Sequence, residues 1–168
     1  LIDILDQNRR IGILSPCSKT WGELHLLANI TTKYFWYIHN AAYLIKREFI
    51  ESVCNTESPG WQNFLFDGTN FRGYGAESEL IAKAYINDFA AAITKDAWAE
   101  EDQTHLQKHA DLIKTENNEA NISLYIEEGN NWMKSKYGFS SKWHMQQYVQ
   151  LFYDKFFEFH PEELKYKI

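Results

Sequence analysis

The chain has 168 residues, 45% of them apolar and 24% charged, with a formal net charge of −6. That balance is ordinary for a globular domain long enough to bury well over half the surface of its unfolded chain, and it excludes low-complexity classes. Residues 57–131 carry 5 basic against 14 acidic side chains, a net of −9, which argues against nucleic acid as a partner and favours a basic protein surface.

In chain order, Leu1 to Ser15 divide into a short helix and an Ile11-Gly12-Ile13-Leu14 stretch that could be extended. The opening Leu1-Ile2-Asp3 carries no methionine and leaves open a segment before it. Thr20 followed by Glu23 fits a capping box. At 100° steps Gly22, Asn29, Lys33, Asn40, Arg47 and Glu51 form one thin polar stripe on an otherwise apolar cylinder. The expectation is a long central helix over about residues 21–53, wrapped by other elements. No run approaches the ~18 apolar residues of a membrane span, since His39 and Asn40 interrupt the longest candidate. Cys17 and Cys54 flank this predicted helix, so the expectation is two thiols in a reducing cytosol. The triplets Asn29-Ile30-Thr31 and Asn121-Ile122-Ser123 fall inside helical patterns and read as chance matches to a glycosylation motif.

Ser58-Pro59-Gly60 marks a turn, and Asp67 to Gly75 a glycine-bearing loop. A second helix is predicted from Ala76 to about Lys95, with the small run Ala90-Ala91-Ala92 suited to close helix packing. It continues or restarts from Asp96 to about Thr115. A further helix is predicted from about Glu119 to Tyr137, with Ile122, Ile126, Met133 and Tyr137 as core positions and Gly138 at its left-handed cap. Ser140 or Ser141 caps a final helix that runs to about His160, ahead of Pro161. The predicted fold is all-α: five to six helices around the central one, in a single α-helical domain over residues 1–168.

The 27 aromatic residues (Trp 6, Tyr 10, Phe 11) crowd into the helical patterns. In the last helix Met145, Tyr148, Val149, Phe152, Phe156 and Phe159 form a core face. Trp143, Tyr153 and Phe157 lie on a second arc with Gln146 and Gln150, either buried between two neighbours or exposed as an interface. Asp102, His105 and His109, with Glu101 one turn earlier, have the spacing of divalent-metal ligands on one helix face, although the zinc-protease glutamate is absent. A solvated acidic face is the simpler account of them. Trp36, His39 and Tyr43 line one edge of the central helix, where a pocket would hold a small molecule. The loop before the second helix has phosphate-loop glycines at Gly68 and Gly73 but lacks the Lys-Ser/Thr pair, and a plain connection is expected.

No nucleophile stands in a recognisable motif, and His39, which could act as a general base, reads better as a hydrogen-bonded core histidine, so no catalytic residue is assigned. The leading expectation is a non-enzymatic cytoplasmic binding module, of inhibitor or immunity type. It would engage a basic protein partner through Glu100, Glu101, Trp143, Tyr153 and Phe157. The alternatives are a helical metal-dependent enzyme using Asp102, His105 and His109, and a carrier whose pocket lies at Trp36, His39 and Tyr43.

Overall fold

A computed structural model of the chain describes residues 1–18, 23–37, 42–54, 57–58, 60, 64–100 and 118–168. The fold is mixed α/β, which overturns the all-α helical bundle. Its elements are α1 (Ile2–Gln7), β1 (Ile11–Cys17), α2 (Glu23–Leu27), β2 (Thr32–Tyr34), β3 (Leu44–Ile45), α3 (Arg47–Val53), α4 (Ala76–Ile86) and β4 (Ala90–Trp98). Two long helices follow, α5 (Asn118–Tyr137) and α6 (Lys142–Phe159), and then a 3-10 helix, Pro161–Tyr166.

The four strands make one sheet in the order β2-β4-β1-β3. Its centre is the parallel pair β1 and β4, with Leu14 opposite Ala92. Strand β3 is antiparallel to β1, and β2 is antiparallel to β4. Every residue of β1 is buried. It therefore shows no polar alternation, as expected of a strand covered on both faces. Gly12 permits the tightest contact there: a Cβ would stand 2.8 Å from Phe89 Cβ and 3.1 Å from Phe49 Cβ.

The central helix over residues 21–53 does not form. Its described residues divide into α2, β2, β3 and α3. Helix α2 stops after Leu27, where Ala28 takes a φ of +44°. The β-branched and aromatic run Thr31 to Trp36 then suits a pleated surface better than a helix. A nearly uniform apolar segment fits a buried strand as well as a wrapped helix, and periodicity does not separate the two.

The helix predicted over residues 76–95 also divides. Helix α4 ends at Ile86, and the chain turns through Asp88 at a φ of +62° before returning as β4. Ala90, Ala91 and Ala92 are buried in the sheet, not in a helix pair. Their small side chains leave room for α4, which packs on both β4 and β1, while α6 packs across α4.

The two last helices follow the predicted bounds. Gly138, at a φ of +75°, closes α5 and donates to Lys134 O at 3.0 Å. The Ser141 hydroxyl caps α6 by accepting from His144 N. Helix α6 supplies the aromatic floor of the core. Tyr153 meets Trp36, Tyr85 and Phe157 with ring centroids 5.1, 5.5 and 5.0 Å away. Its hydroxyl donates to Tyr34 O at 3.3 Å and accepts from Ile168 N at 2.9 Å, and burial pushes its pKa up to about 12. The 3-10 helix covers the edge strand β2. Tyr166 stacks on Tyr34 at 4.9 Å, and Tyr34 donates to Glu163 at 2.7 Å. Among the described residues no helix is long and apolar enough to cross a membrane.

Gly12→Val is expected to lower stability by roughly 1–3 kcal/mol through overpacking against Phe89 and Phe49. Urea unfolding followed by circular dichroism should show a lower midpoint with an unchanged slope.

Candidate binding groove

The loop before α4 is rigid by its own hydrogen bonds. Asp67 Oδ1 accepts from Thr69 N at 2.9 Å and from Thr69 Oγ1 at 2.6 Å. Asn70 accepts from Gly73 N at 3.2 Å and donates to Tyr74 O at 3.0 Å. An aspartate and an asparagine stitching their own turns in this way is the usual reason those residues favour loops.

Helix α5 lies directly against this loop because residue 129 is glycine. A Cβ at Gly129 would stand 2.5 Å from both Tyr74 O and Tyr74 Cβ. Beyond that contact a polar cluster fastens the helix. Lys136 Nζ reaches Asp67 Oδ2 at 2.5 Å and Glu79 Oε1 at 2.8 Å. Trp132 Nε1 donates to Asp67 Oδ2 at 3.1 Å, and the Tyr137 hydroxyl donates to Glu79. Lys83 adds an ion pair to Glu79 at 3.4 Å and a hydrogen bond to Leu65 O at 3.2 Å. Both carboxylates are buried, and both are neutralised.

The electrostatics follow from that packing. Burial alone would raise the Asp67 pKa, but the Lys136 ammonium, Thr69 and Trp132 together hold it well below the usual carboxylate range. Burial lowers the tendency of Lys136 to stay charged, yet Asp67 and Glu79 outweigh it and raise its pKa. Burial and the neighbouring Glu79 carboxylate both push the Tyr137 phenol up. A general base works best with a pKa near the operating pH. A carboxylate held this low is a structural anchor, not a proton acceptor.

Above the anchor lies an open groove of about 540 Å³. Leu124, Glu127, Glu128, Asn131, Trp132 and Ser135 form one wall, at helical spacing along α5, and Thr69 and Arg72 form the other. Arg72 binds Glu128 in two places, through its backbone N at 2.5 Å and Nη1 at 2.6 Å. Glu127 is exposed and has no ion-pair partner among the described residues. With Arg72 and Glu128 paired, Glu127 is left as the unpaired charge of the groove lining, a net of −1.

The residues singled out from sequence are scattered. Trp143 is 63% exposed, whereas Tyr153 and Phe157 are 1% and 3% exposed. The second aromatic arc of α6 is therefore core along most of its length, and the exposed three-residue stripe does not exist. Glu100 is exposed and accepts from Ser18 Oγ at 3.4 Å. Glu101, Asp102, His105 and His109 lie outside the described residues, as does His39. Trp36 and Tyr43 are half-buried and belong to segments after β2 and before β3, not to one helix edge. Trp36 packs on Tyr153, and burial followed by the Glu77 charge raises the Tyr43 pKa. Arg72, in the loop that carries Gly68 and Gly73, is committed to Glu128. Of the core positions expected on α5, Met133 is buried and Tyr137 half-buried, but Ile122 and Ile126 are exposed. Sequence reasoning missed Glu127, Asn131 and Trp132, although the helical spacing of Glu127 and Asn131 at the end of the acidic zone was a usable signal. No protein-family model, curated protein or solved structure matches the chain.

Because the folded-state pKa of Asp67 is depressed, its stabilising effect is complete above the unfolded carboxylate value of about 3.9 and is lost as pH falls through the folded value. Asp67→Asn is expected to destabilise the protein at neutral pH by roughly 1–3 kcal/mol. The gap from wild type should shrink below about pH 4. Urea midpoints measured across the acid range check this, and a gap independent of pH would refute the assignment.

Proposed function

We propose that the protein is a non-enzymatic binding module that engages a basic protein partner through the groove between α5 and the 67–75 loop. The observation that carries this reading is Glu127, a carboxylate with no ion-pair partner among the described residues, on the α5 wall of the groove. An arginine or lysine side chain entering there meets the Glu127 carboxylate in a charge-assisted contact. The Trp132 ring is already engaged from within the protein by Lys136, 5.5 Å from its centre.

Neutralisation of a basic toxin or nuclease, as by an inhibitor or immunity-type protein, is the form of activity this surface suits. Acidic complementarity of this kind speeds encounter and selects against acidic partners. Cys17 and Cys54 are both thiols, which supports a reducing compartment such as the cytosol.

Isothermal titration with a short arginine-rich peptide tests the reading. Binding should weaken as salt rises toward about 0.15 M, where screening acts over ~8 Å. Glu127→Lys should weaken it at least about tenfold, with the fold unchanged by circular dichroism. An acidic peptide of equal length binding equally well, or a Glu127→Lys variant binding like wild type, would overturn it.

A further inference from the structure

The groove beside α5 spends most of its hydrogen-bond donors on the protein itself. Thr69 Oγ1 donates to Asp67 Oδ1 at 2.6 Å, and Trp132 Nε1 donates to Asp67 Oδ2 at 3.1 Å. Ser135 Oγ donates to Trp132 O at 3.1 Å. These three side chains line the groove, and each has a single donor, so none has another to offer. Arg72 is held by Glu128, through Nη1 at 2.6 Å and its backbone N at 2.5 Å. The donors left over are the Asn131 amide and the Arg72 nitrogens that Glu128 does not take. Against them the lining keeps many oxygen lone pairs: the hydroxyls of Thr69 and Ser135, the Asn131 amide oxygen and the whole Glu127 carboxylate.

Three of these acceptors stand in a row. Glu127, Asn131 and Ser135 follow one another at intervals of four residues, which puts them on one face of α5 at steps of about 6 Å. Neither Glu127 nor Asn131 makes a side-chain hydrogen bond or ion pair among the described residues, and both are exposed. We infer that this row takes a guanidinium, so that the groove selects arginine over lysine on its partner. The preference presupposes the basic partner proposed above and narrows its contact to one functional group.

A guanidinium is planar and carries five N–H donors, two of which can lie parallel on one carboxylate. With Glu127 taking that pair, donors on the other edge remain for the amide oxygen of Asn131, one step along the row. An ammonium carries three donors at a single point and is strongly hydrated, so it meets Glu127 and keeps its water. Charge does not separate the two cations, because each brings the same charge to a lining with a net of −1. The preference comes from the number and spacing of the acceptors. An anion drawn to Arg72 instead would stand among both carboxylates, and like charges brought together oppose it.

Isothermal titration of the full chain with two peptides of equal length and charge, one arginine-rich and one lysine-rich, provides the test. The arginine peptide should bind more tightly by roughly fivefold or more. Any acidic surface can favour the weakly hydrated guanidinium to some degree, so the decisive measurement is the same ratio in Asn131→Ala. Residue 131 is exposed on a helix, so the variant should keep the wild-type circular dichroism and the wild-type affinity for the lysine peptide. Its preference for arginine should fall to about twofold or less. Equal affinities in wild type, or a preference that Asn131→Ala leaves intact, would overturn the inference while the basic-partner reading stands. Binding of neither peptide would overturn both.

Discussion

Two buried carboxylates, Asp67 and Glu79, share the ammonium of Lys136, and the placement of α5 depends on that sharing. The Arg72–Glu128 pair and the close approach of Gly129 to Tyr74 add to it. Ile122, Leu124 and Ile126 are exposed, and the buried apolar anchors of α5 are Trp132 and Met133, near its C-terminal end. A buried ion pair is weak evidence of net stability, because desolvation consumes most of the Coulomb gain. Its force lies in what its loss would leave behind: an uncompensated charge in the interior. The three groups must therefore stay together, and their union fixes where the helix lies, how close Gly129 comes to Tyr74, and how wide the groove above them is.

The same constraint separates what the sequence shows from what it hides. The bounds of α5 and α6 are legible because local chemistry writes them: Gly138 at a left-handed position, Ser141 as cap, and Pro161 beyond the end. The sheet is not legible in this way. Strand β1 pairs with β4 across nearly eighty residues, and its fully buried run carries no alternation to announce it. The run from Thr31 to Trp36 has β-branched and aromatic residues, but its apolar continuity also satisfied a helix wheel. The anchor cluster is hidden for a further reason. Asp67 and Lys136 are 69 residues apart, and Glu79 and Tyr137 are 58 apart, so no local pattern brings them together. What sequence did offer for the groove was the acidic zone and the spacing of Glu127 and Asn131 along one helix.

The aromatic surplus of α6 is mostly consumed by the sheet that the sequence did not reveal. Strand β2 supplies Tyr34 over Phe157, the segment after it supplies Trp36 over Tyr153, and Tyr166 of the 3-10 helix stacks on Tyr34. Both arcs become core, and the aromatics left outside are those at the two ends of the helix, Trp143 and Phe159.

Trp143 and Phe159 are exposed in the same way as Phe71 and Leu151, and single apolar side chains on a folded surface are ordinary. The groove belongs to α5 and the two exposed aromatics to α6, two helices joined by the short turn at Gly138. Each helix is therefore fixed to the core on one side by contacts peculiar to it, an ionic anchor for α5 and an aromatic floor for α6. Each keeps a solvent side whose chemistry the fold does not require.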